Sequence, residues 1–135
     1  MIRKIFAVSV ISIIILSSCQ TEIDIISIID NNAPIVLITK SSEVNNDSLP
    51  FQQKDTIEIN SEKWDRLKEF AKNNMRGWRT SPASYISDFY ITQDEFRFLG
   101  WINGDGIVIG FIDLEGKAVQ YSKEIKLGEL DFLLE

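Results

Sequence analysis

A basic and aromatic cluster lies between residues 75 and 80 of an otherwise acidic chain. Arg76, Trp78 and Arg79 fall within four positions, where a predicted helix ends and a loop begins. Arginine offers a planar set of hydrogen-bond donors and tryptophan a flat apolar face, and both are typical of binding hot spots and sugar-stacking sites. In a structural alternative, the two arginines balance the helix dipole while Trp78 packs in the core. The cluster therefore predicts either a binding loop or a purely structural helix end with Trp78 in the core.

A second candidate surface comes from residues 96–102, which have strand character. Alternation places Arg97, Leu99 and Trp101 on one face of that strand and the phenylalanines on the other. Together with Tyr90 from the preceding run, they predict a platform on the sheet face away from the helix, and exposed patches of this kind indicate binding. If the N-terminal strands or the C-terminal tail cover that face, the same residues form a second core.

Residue types that carry catalysis are scarce. The chain has no histidine and a single cysteine, which excludes histidine-based triads and His-ligated zinc. No carboxylate pair has a spacing that indicates glycoside chemistry, and the acidic turns lack the alternation of a calcium loop. The glycines do not form a phosphate loop, and no serine lies in a recognisable nucleophile motif. We therefore expect a non-catalytic protein without a metal or cofactor.

Hydrophobic periodicity predicts the elements that position these residues. In the N-terminal part, residues 23–29 and 35–39 are β-branched runs around an Asn/Pro turn and predict two strands. Residues 40–54 are polar and contain Pro50, which indicates a linker or long loop. A short strand is expected at residues 56–59.

One main helix is expected to begin at Asn60 or Ser61 and to run to about Met75. Its apolar stripe has residues three or four positions apart, namely Trp64, Leu67, Ala71 and Met75. Four runs of strand character follow at residues 85–91, 96–102, 107–112 and 117–121, and their short turns favour antiparallel pairing. Residues 129–134 suggest a short helix or a final strand. We expect an α+β fold in which the helix packs on a meandering antiparallel sheet of about four strands, with extra N-terminal strands.

The first 19 residues have the pattern of an export signal. Arg3 and Lys4 precede an apolar run at residues 5–16, which is shorter than the roughly 18 residues that a transmembrane helix needs. The motif Leu16-Ser17-Ser18-Cys19 follows and resembles the lipobox of bacterial lipoproteins. This resemblance implies that residues 1–18 are removed and that Cys19 carries acyl chains, which hold a protein on a membrane nearly permanently.

The residues after the cysteine refine this resemblance. Gln20 in that position goes with transport to the outer membrane in many Gram-negative lipoproteins, and the acidic residues Glu22 and Asp24 resemble export tags of Bacteroidetes surface lipoproteins. The implied organisation is a signal peptide at 1–18, a lipidated segment with two short strands and a polar linker at 19–54, and an α+β domain at 55–135. Residues 20–135 carry no family motif that we recognise.

The net charge of the mature chain limits the classes of partner that it can bind. Removing residues 1–18 leaves 12 basic residues against 20 acidic ones, and such an acidic surface repels nucleic acid. We expect an outer-membrane lipoprotein that binds a protein partner, which the acidic charge predicts to be basic. Such a protein would act as an immunity-like inhibitor or as an accessory subunit of an envelope complex. The alternative is a glycan-binding or glycan-processing surface lipoprotein in which Trp78 and Trp101 stack on sugar rings.

Overall fold

The structure, a computed structural model, describes residues 20–40 and 52–135. The predicted signal peptide, Cys19 and residues 41–51 of the predicted linker lie outside the described residues. The fold is α+β, as predicted, with one main helix packed on an antiparallel sheet. The sheet has seven strands, so the prediction of about four strands was too small.

The chain begins with the four-residue helix α1 and the first two strands, and the long helix α2 follows before the remaining strands. In order, the elements are α1 (Ile25–Ile28), β1 (Ile35–Lys40), β2 (Gln52–Ile57), α2 (Glu62–Asn73), β3 (Arg79–Thr80), β4 (Phe89–Gln93), β5 (Phe96–Gly100), β6 (Gly106–Ile112), β7 (Ala118–Glu124) and a 3-10 helix (Asp131–Leu133). The strand order is β2-β1-β4-β5-β6-β7-β3. The meander β4 to β7 that the turns predict is thus extended at both edges.

The additional strands of the sheet come from the chain segments before and after α2. Strand β1 belongs to the segment 19–54, yet it pairs with β2 on one side and with β4 on the other, so that Ile38 faces both Lys54 and Tyr90. Strand β3 adds two residues beside β7. A two-residue strand has too few positions for alternation to be recognised in a sequence.

The predicted strand at residues 23–29 is wrong, because this segment forms the helical turn α1. Asp24 caps the turn by accepting a hydrogen bond from the Ile26 amide at 3.2 Å. Ile25 and Ile29 are buried and lie four positions apart, which matches a helical period. Burial of this short apolar face overrides the strand propensity of the isoleucines.

Helix α2 begins where the sequence predicts. The Ser61 hydroxyl oxygen accepts a hydrogen bond from the Trp64 amide at 3.1 Å and so caps the first turn. The helix ends at Asn73, two residues earlier than expected. The Asn74 side chain donates to the Phe70 carbonyl at 2.9 Å, and Gly77 then turns the chain with a φ of 87°.

One face of the sheet carries the core, and we call it the inner face. Helix α2 packs there, with the rings of Phe70 and Phe98 edge to face and 5.9 Å between their centroids. Helix α1 and the C-terminal 3-10 helix join the same hydrophobic cluster through Ile25 and Phe132. The N-terminal segment and the tail therefore help to cover the inner face, and we call the opposite face the outer face.

Candidate functional site

The outer face of the sheet gathers several of the predicted binding residues. Directly paired residues of antiparallel strands point to the same face. Successive pairs across the sheet make one row on this face, which contains Ile38, Tyr90, Leu99, Val108, Ser122 and Arg79. Arg97 lies in the adjacent row, between Thr92 and Gly110. The face therefore combines an apolar centre with arginines from β3 and β5.

An irregular segment, residues 81–88, crosses the outer side of the sheet, and we call it the strap. At its start, the Gln120 amide group donates to the carbonyls of Ser81 at 2.8 Å and Ala83 at 2.7 Å. At its end, the Asp88 amide donates to the Gly100 carbonyl at 3.0 Å. The strap is thus hydrogen-bonded to β7 at its start and to β5 at its end, where it leads into β4. It covers part of the outer face between these strands.

The middle of the strap is held by Trp101, which follows β5. The indole N–H of Trp101 donates to the Ile86 carbonyl at 2.8 Å, and its ring contacts Tyr85 edge to face with 5.9 Å between centroids. The Ile102 amide donates to the Asp88 carboxylate at 2.9 Å. Tyr85, Ile86, Trp101 and Ile102 form what we call the apolar ridge, and the side chain of Ile86 is 85% exposed on it.

Two open grooves flank the strap. The first groove has a volume of about 520 Å³ and lies over β1, β4 and β5, where it is lined by Lys40, Tyr90, Thr92, Arg97 and Leu99 together with strap residues. The second groove has a volume of about 460 Å³ and lies over β3, β6 and β7, with Gln20 and Trp101 on its walls. Among the described residues, the charged groups that line the first groove are the cations of Lys40 and Arg97.

The structure divides the predicted binding residues into two groups. Arg79, Arg97 and Trp101 all line the grooves of the outer face. Trp78 is fully buried in the core, where its indole N–H donates to the Asn74 carbonyl at 2.7 Å, so it has no free face for a ligand. Arg76 is highly exposed and pairs with Glu22, with 3.9 Å between Nε and Oε2. A surface pair of this kind contributes little to stability.

Sequence reasoning missed the strap, which supplies Tyr85 and Ile86. Residues 85–91 were expected to form a strand, but β4 begins only at Phe89. Residue types that are typical of turns and loops were the available signal for an irregular segment, namely Ser81, Pro82 and Ser84.

Comparison of the chain with protein-family models, curated proteins and solved structures found no match. The outer face must therefore be interpreted from its own chemistry. In residues 20–40 and 52–135, no helix is both long and apolar enough to cross a bilayer. Over the same residues, no group of three or more potential metal ligands converges. What the first groove offers is apolar contact, hydroxyl groups and cationic hydrogen-bond donors.

Proposed function

We propose that this protein is a non-catalytic lipoprotein, anchored to the outer membrane through Cys19, that binds a protein partner with its outer sheet face. One observation carries the binding proposal: the first groove combines an apolar floor with Arg97 and Tyr90, residue types that anchor protein interfaces. The membrane location rests on the lipobox at residues 16–19. The absence of histidine and of a recognisable nucleophile motif supports a non-catalytic role.

The limited exposure of the tryptophan rings favours a protein partner over a glycan. A sugar-binding site needs an aromatic ring whose flat face is open. Trp78 is buried, while Trp101 is partly covered and contacts Tyr85 with its ring edge to face. The first groove, by contrast, has Tyr90 and Leu99 in its lining, and a protein side chain can pack against such an apolar floor.

The net charge of the chain and the local charges in the first groove predict two features of the partner. The acidic net charge of the mature chain accelerates the approach of a basic protein. Lys40 and Arg97, by contrast, can donate hydrogen bonds to carboxylate groups on the segment of the partner that enters the first groove. A basic partner with a local acidic segment satisfies both conditions.

A crosslinking pull-down of the tagged full-length protein from its native envelope tests this proposal. We expect one stoichiometric protein that is recovered with the Arg76→Ala variant and lost with the Arg97→Ala variant. Both arginines are exposed, but of the two only Arg97 lines one of the two grooves of the outer face, so the pair controls for loss of charge. Equal recovery with both variants would place the interface elsewhere. Recovery of no protein, combined with binding on a carbohydrate array, would favour the glycan alternative.

A further inference from the structure

The N-terminus of the described chain is held firmly against the body of the protein. The amide of Thr21 donates to the Trp78 carbonyl at 2.7 Å, and the Trp78 amide donates back to Thr21 at 3.3 Å. Two residues later, the Ile23 amide donates to the Met75 carbonyl at 2.7 Å. Thr21, which is only two residues after Cys19 in the sequence, is therefore already paired with the folded domain.

So short a connection leaves the domain almost no freedom to move away from the bilayer. Consecutive Cα atoms are about 3.8 Å apart, so Cys19 lies within one such step of Gln20. Lipoproteins whose acyl cysteine precedes a long polar segment can hold their domain at a distance, because such segments behave as flexible chains. Here the acyl chains would emerge next to folded residues, and the surface around Gln20 must lie at the membrane.

The surface around Gln20 belongs to the outer side of the protein. Gln20 lines the second groove together with Arg79, Tyr85 and Trp101. Two residues of the apolar ridge, Tyr85 and Trp101, therefore line the same groove as the residue that follows Cys19. The ridge presents the residue types of a membrane interface, with a tryptophan and a tyrosine beside the exposed aliphatic side chains of Ile86 and Ile102.

We propose that the apolar ridge contacts the bilayer to which Cys19 is anchored, so that the protein lies on the membrane with its outer face turned toward it. Ile86 and Ile102 enter the boundary between headgroups and acyl chains, while Trp101 and Tyr85 lie at headgroup level. The guanidinium of Arg79 in the second groove faces the lipid phosphates. This inference rests on the lipid anchor of the proposed function, and it would place the partner of the first groove at the membrane surface.

Thiol accessibility in the lipidated full-length protein tests this orientation. In that protein the sulfur of Cys19 is bound to lipid, so a cysteine introduced elsewhere is the only free thiol. The test variant is Ile86→Cys. The matched control is Leu114→Cys, which replaces a fully exposed leucine at the hairpin tip between β6 and β7, the opposite end of β6 from Trp101 and Ile102.

Both variants are reconstituted into vesicles of phosphatidylethanolamine and phosphatidylglycerol and treated with a membrane-impermeant maleimide. We expect Ile86→Cys to react at least about tenfold more slowly than Leu114→Cys, because the reagent reaches this thiol only when the ridge leaves the bilayer, and burial of the remaining apolar ridge side chains disfavours that state by about this factor or more. Equal rates on protein that carries labelled fatty acid would overturn the orientation alone. Failure to incorporate fatty acid would overturn the anchor and this inference together.

Intrinsic fluorescence gives a second readout without a cysteine. Trp64 and Trp78 are buried, whereas Trp101 is partly exposed on the ridge. In vesicles with brominated acyl chains, we expect quenching of the wild-type protein and loss of most of this quenching in Trp101→Phe. Absence of quenching in the wild-type protein, or quenching that Trp101→Phe leaves unchanged, would show that the ridge is not in contact with lipid.

Discussion

The buried side chain of Gln93 joins the N-terminal loop to the sheet, and its removal gives the sharpest test of how this fold is held together. Its carbonyl oxygen accepts a hydrogen bond from the Asp30 amide at 2.7 Å. Its amide nitrogen donates to the carbonyls of Asp30 at 2.9 Å and Ala33 at 3.1 Å. These bonds fix the loop between α1 and β1 against the end of β4. Substitution by leucine keeps a similar volume and removes these three bonds, together with a longer one of 3.5 Å to the Pro34 carbonyl.

The expected cost of Gln93→Leu is about 2 kcal/mol of unfolding free energy. Three hydrogen bonds with a net contribution of about 1 kcal/mol each set an upper limit for this cost. The loss is reduced because Asp30 is exposed, so that its backbone groups can bind water instead, and because a buried leucine gains some transfer free energy. For a domain of this size, such a change lowers Tm by about 5 to 10 °C.

Urea unfolding of residues 20–135, followed by tryptophan fluorescence, measures this loss, and Gln53→Leu is the matched control. Gln53 lies exposed on the edge strand β2, so the same chemical change there should alter stability by less than about 0.5 kcal/mol. If Gln93→Leu proved no more destabilising than Gln53→Leu, the three buried bonds would not hold the loop. The position of β1 would then depend on its pairing with β2 and β4 and on its apolar packing.

Two further substitutions, each with a control, test the packing of the core. Gly100→Ala should lower the unfolding free energy by about 1 to 3 kcal/mol, because the new Cβ would lie 2.2 Å from the ring of the buried Phe89; Gly110→Ala, with its nearest atom at 3.7 Å, should be nearly neutral in the same urea assay. Trp78→Phe should cost about 1 to 3 kcal/mol, because it leaves the buried Asn74 carbonyl without its donor. Trp101→Phe, whose hydrogen bond is exposed, should cost less by thermal unfolding.

The parts of the fold that sequence predicted are those with local signals. Ser61 starts α2 because a serine hydroxyl can cap the amide three residues later, and the helix stripe repeats within twelve residues. The meander from β4 to β7 follows from short turns between alternating runs. Helix α1 was mistaken for a strand because its isoleucines favour strands locally. Its helical form depends on burial beside α2, which a local pattern does not contain.

The candidate site was predicted in part for the same reason. Arg97 and Trp101 were found from alternation along a strand that proved to be β5 and its continuation. The strap was missed because it is held by long-range bonds, such as those from Gln120 to residues 37 and 39 positions earlier. For Trp78 the sequence left a binding role and a core role open. Only its packing in the hydrophobic cluster and the N-terminal bridge to Thr21 place it in the core.

The short connection to the anchor bears on which kind of partner the outer face suits. If the ridge lies on the bilayer, the first groove is held at the level of the membrane surface, on the far side of the strap from Gln20. A partner embedded in the same membrane meets this groove at a high effective concentration, because both proteins are confined to one plane. A soluble toxin would have to reach a groove that the membrane partly shields. In the proposed orientation, an accessory subunit of an envelope complex is therefore favoured over an inhibitor of a soluble enzyme.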